Sequence, residues 1–109
     1  MFSAPTLRKD LVVGWSSVPS DTHRMRNEDA FLVMPDRGFF GVFDGMGRYK
    51  DADIAAQIAA DEVQETLAPL APDASDEAVA DTLRDAFFAG DAAIRAEAHS
   101  RSGAGNMGT

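Results

Sequence analysis

The stretch Ala30-Phe31-Leu32-Val33-Met34-Pro35-Asp36-Arg37-Gly38-Phe39-Phe40-Gly41-Val42-Phe43-Asp44-Gly45 decides the fold. Two apolar runs, 30–34 and 39–43, flank a Pro-Asp-Arg-Gly cluster. Asp36 and Arg37 suit a type I turn, and Gly38 is free to take the left-handed conformation of a bulge. The pattern predicts two antiparallel strands. In the second, Phe39 and Phe43 fall on one face and Phe40 and Val42 on the other, so this strand is expected to be covered on both sides.

Upstream, Leu11-Val12-Val13-Gly14-Trp15 is a β-branched and aromatic run followed by the turn formers Ser16 to Asp21, which predicts a strand over 11–16 with Trp15 in the core. Downstream the period changes. Ala55, Ala59, Val63 and Leu67 recur every fourth residue, with Asp61, Glu62 and Glu65 opposite, which predicts an amphipathic helix over 53–67 that stops before Pro69. Ser75 then stands as an N-cap, with Asp76 and Glu77 in the first turn where the helix dipole favours negative charge. A second helix is expected over 76–99, with Val79, Leu83, Phe87 and Ile94 as its buried stripe and Ala86 and Gly90 between them. Gly90 costs about 1 kcal/mol against Ala in mid-helix, which suggests close packing against a neighbour. The five methionines read as packing.

The 109 residues are 45% apolar and 26% charged, with no run near the ~20 apolar residues that cross a bilayer, so one globular domain of α+β class is expected and a membrane partner is not. The net charge of −8 argues against nucleic acid, whose phosphates require clustered cations. The absence of cysteine excludes disulfides, thiolate zinc sites and a cysteine nucleophile. Arg8 and Lys9 have no apolar run behind them of signal-peptide length, which makes the cytoplasm the expected location.

The chemistry gathers at the open end of the hairpin. With a two-residue turn at Asp36-Arg37, Asp44 faces Asp29; with a bulge at Gly38, Gly45 faces Asp29 and Glu28 shares a face with Asp44, leaving Asp29 turned away. In either register Glu28, Asp29, Asp44 and Gly45 meet. Three carboxylates so close repel and raise one another's pKa, which calls for a cation. Mg²⁺ or Mn²⁺ would accept their oxygens, and a glycine carbonyl could serve beside them. Acidic residues at strand ends next to glycine are also ordinary turn chemistry, and spacing alone leaves both readings open.

Three strings carry a resemblance: Arg24-Met25-Arg26-Asn27-Glu28-Asp29-Ala30, then Phe40-Gly41-Val42-Phe43-Asp44-Gly45-Met46-Gly47, then Met107-Gly108-Thr109 after two helices. In order and spacing the chain resembles the metal-dependent protein phosphatases of type 2C. The resemblance implies an α-β-β-α sandwich and hydrolysis of phosphoserine and phosphothreonine on protein substrates, including targets of Ser/Thr kinases. It also implies two Mn²⁺ or Mg²⁺ ions, bridged by Asp44, with the Gly45 carbonyl on one of them, Glu28 holding a metal-bound water and Arg24 gripping the phosphate. Met46 follows the Asp-Gly pair, as in bacterial members, and Arg48 replaces a usual glycine. The family's later aspartates have no counterpart before Thr109, so the chain is expected to be the N-terminal portion of such a domain. His23, beside Arg24, and His99 read as exposed polar residues. Two alternatives stand beside the phosphatase: a noncatalytic type 2C-like binding protein, and an acidic interaction module without metal chemistry.

Overall fold

The computed structural model describes residues 12–19, 27–46 and 51–102. Four elements follow in chain order: β1 (Asp29–Met34), β2 (Phe39–Asp44), α1 (Ala52–Leu67) and α2 (Asp76–Ser102). Two antiparallel strands against two packed helices make an α+β fold. α1 packs on both strands and on α2, whereas the α2 backbone approaches α1 alone among these elements. Among the described residues no helix is long and apolar enough to cross a membrane.

The hairpin turns through four residues. The Arg37 N–H donates to the Met34 carbonyl at 3.1 Å, and the Gly38 N–H to the carbonyls of Met34 at 2.9 Å and Pro35 at 3.2 Å. Pro35 presets φ at the first corner of this wrap, and Gly38 closes it at φ 76°. The left-handed glycine forms without shifting the register, because the last cross-strand pair is Met34 with Phe39 and all of 35–38 lies in the loop. Asp29 therefore faces Asp44, by way of a four-residue loop and not the two-residue turn expected at Asp36-Arg37.

Alternation divides the hairpin into two faces. Ala30 and Leu32 are buried toward α1 with Phe39 and Phe43 packed beside them, while Phe40 is 50% and Val42 80% exposed on the other side. The expectation that β2 is covered on both faces is thus corrected: α1 covers one, and no described element packs against the other. Of the strand expected over 11–16, residue 11 lies outside the described residues and 12–16 take no regular structure. A β-branched run becomes a strand only when another backbone takes up its N–H and C=O groups. Trp15 accordingly lies outside the core, 59% exposed, with its ring 6.2 Å from that of Phe31.

Alanine dominates the interior of α1: Ala52, Ala55, Ala56, Ala59 and Ala60 are buried together with Val63 and Leu67. Such small side chains let the hairpin and α2 approach the helix closely. Leu32, Val63, Leu67 and Ala86 form one apolar cluster, edged by Met34, Phe39, Phe43, Leu70 and Leu83. α1 ends at Pro69. Ser75 caps α2 as expected, its Oγ accepting the Ala78 N–H at 3.1 Å. Along α2 the buried positions are Ala86, Gly90, Ile94 and Ala98. Phe87, assigned to the stripe from its spacing, is 61% exposed, and its neighbour Phe88 is exposed as well. Phe87 lies about 100° around the helix from Ala86, and an interface closed by Ala86 and Gly90 leaves no room for a ring.

Candidate functional site

The site is built where β1 begins and β2 ends. Asn27 prepares the entry: its Oδ1 accepts the Asp29 N–H at 3.1 Å, and its Nδ2 donates to Ser17 Oγ at 2.7 Å. This local bond fixes the backbone just before the strand. Beyond the last strand pair, Gly45 N–H donates to the Glu28 carbonyl at 2.9 Å, which continues the ladder by one step. Gly45 is buried against the start of α1. A Cβ there would collide with the carbonyl oxygens of Glu28 and Ala52, so the close approach of three backbone segments requires glycine. α1 itself starts from Asp51 at φ 61°, whose carbonyl accepts the N–H groups of Ile54 and Ala55.

In this register Asp29 and Asp44 are direct cross-strand partners and their carboxyl groups hydrogen-bond. Such a bond forms only when Asp29 carries its proton. Partial desolvation, that bond, and repulsion from Asp44 and Glu28 hold the Asp29 carboxyl above its ordinary value of 3.8. Asp29 thus faces Asp44, contrary to the bulged register, which turns Asp29 away and sets Glu28 on the face of Asp44. Glu28, half-buried, stands across from Gly45 instead. Of the two registers the sequence allows, the one without a bulge pairs Asp29 with Asp44, and the structure adopts it.

The structure therefore brings Glu28, Asp29, Asp44 and Gly45 together. Arg24, His23, Arg48 and Met107-Gly108-Thr109 lie outside the described residues. His99 is exposed in the last turn of α2. Among the described residues no group of three or more His, Cys, Asp or Glu side chains is arranged to hold a metal ion. The facing pair can share a proton, or exchange it for a cation that both carboxylates contact. Comparison with family models, curated proteins and solved structures gives no match for this chain.

Proposed function

We propose that the hairpin end belongs to a metal-dependent phosphoester-hydrolysing site of the type 2C kind, acting on phosphoserine and phosphothreonine of proteins. The observation that carries the reading is the Asp29–Asp44 pair beside the buried Gly45, inside the two sequence strings that bear the resemblance. In this reading Asp44 is the ligand shared by two Mn²⁺ or Mg²⁺ ions, the Gly45 carbonyl a second ligand, Glu28 a contact through water, and Arg24 the phosphate grip. Such ions, when bound, lower the pKa of a water and neutralise charge on the phosphoryl group. Arg24 contributes a planar fork that matches two phosphate oxygens. The donor set fits in part: two facing carboxylates suit one hard cation weakly, and two divalent charges require further anionic ligands.

The test is a titration with Mn²⁺, following the free ion by its paramagnetic resonance. Weak binding is expected, with affinity at least tenfold lower in Asp44→Asn. Unchanged affinity in that variant would overturn the reading. Phosphate release from a phosphothreonine peptide by these 109 residues alone is expected to be small, because the described ligands are too few.

One observation favours a second reading. Asp29 and Asp44 face each other directly, and the Asp29 carboxyl, held above its ordinary value, takes up a proton more readily, as in an acidic binding module that performs no hydrolysis. Absence of any Mn²⁺ binding selects this alternative.

A further inference from the structure

We draw no further inference here: the strongest candidate, the outward face of the β1–β2 hairpin where Trp15, Phe31, Phe40 and Val42 stand exposed, carries nothing because nothing in the structure shows what covers it.

Discussion

On the side of the hairpin that meets α1, Ala30 and Leu32 are buried and Phe43 touches each of the three apolar clusters. On the opposite side Phe31 is 46% exposed, and Phe40 and Val42 more so. The two faces are similarly apolar in sequence, so hydrophobicity does not distinguish them. What differs is the surface presented to each. Ala56 and Ala60 of α1 offer a low, flat surface on which the strands can settle, while the outward face meets no described element beyond the Trp15 ring. Period-two alternation places Asp29 and Asp44 on this outward face. Water can therefore reach the acid pair, which limits the repulsion between the two groups.

The largest expected effect sharpens that contrast. Leu67 is 1% exposed, and Leu67→Ala should cost about 3 kcal/mol in urea unfolding through lost burial and a residual cavity. Phe40→Ala on the open face should cost about 1 kcal/mol or less, since half of its surface is already wet. Equal losses would break the comparison. Next comes Gly45→Ala, where a methyl group meets two carbonyls of fixed backbone. A loss of about 2 kcal/mol is expected in the same assay.

The acid pair gives a smaller effect that depends on pH. The raised pKa of Asp29 means that the folded state holds its proton more tightly than the unfolded state does. The stabilisation is thus fully present below the ordinary carboxylate value of 3.8 and is lost as pH rises through the raised value. Asp29→Asn should make the protein more stable than the parent at neutral pH, with the advantage shrinking as pH falls toward 3.8. Parallel stability curves for the two proteins from pH 3 to pH 7, roughly the range over which carboxylates titrate, would show that folding does not raise the Asp29 pKa. Smallest is Gly90→Ala. An added Cβ would lie 3.8 Å from the Ala59 Cα, an ordinary contact, so the helix gain of about 0.5 to 1 kcal/mol should appear as a raised melting temperature. A drop would mean that the two helices are closer than this spacing indicates.

These residues also show what was legible in the sequence. Ala55, Ala59, Val63 and Leu67 announced the inner face of α1, because a helix repeats its environment every turn and all four are buried. Phe87 misled for the same reason. Its spacing fits the stripe, but the helix pair closes on Ala86 and Gly90, and the size of contact residues is decided by two elements together. The run 11–16 has strand-forming side chains, yet among the described residues no strand pairs with 12–16, and propensity cannot supply one. At the site, the meeting of Glu28, Asp29, Asp44 and Gly45 followed from the hairpin alone, whereas the choice of Asp29 over Glu28 depended on whether Gly38 inserted a bulge. One residue of slip turns every side chain to the other face.

Arg37 in the hairpin loop donates through Nη1 to the carbonyl of Leu70 in the connection between α1 and α2, 33 residues away. The hairpin is closed by its own turn and the helix pair by a short link, and the two already meet in the apolar cluster edged by Met34, Phe39 and Leu70. Local units of this kind can open separately, each with its own free energy. The guanidinium couples them, because fraying the loop end of the strands strips a partner from the helix connection and loosening that connection frees the arginine. Amide protons near Met34 and near Leu70 are therefore expected to exchange through a common opening, although they belong to different parts of the chain.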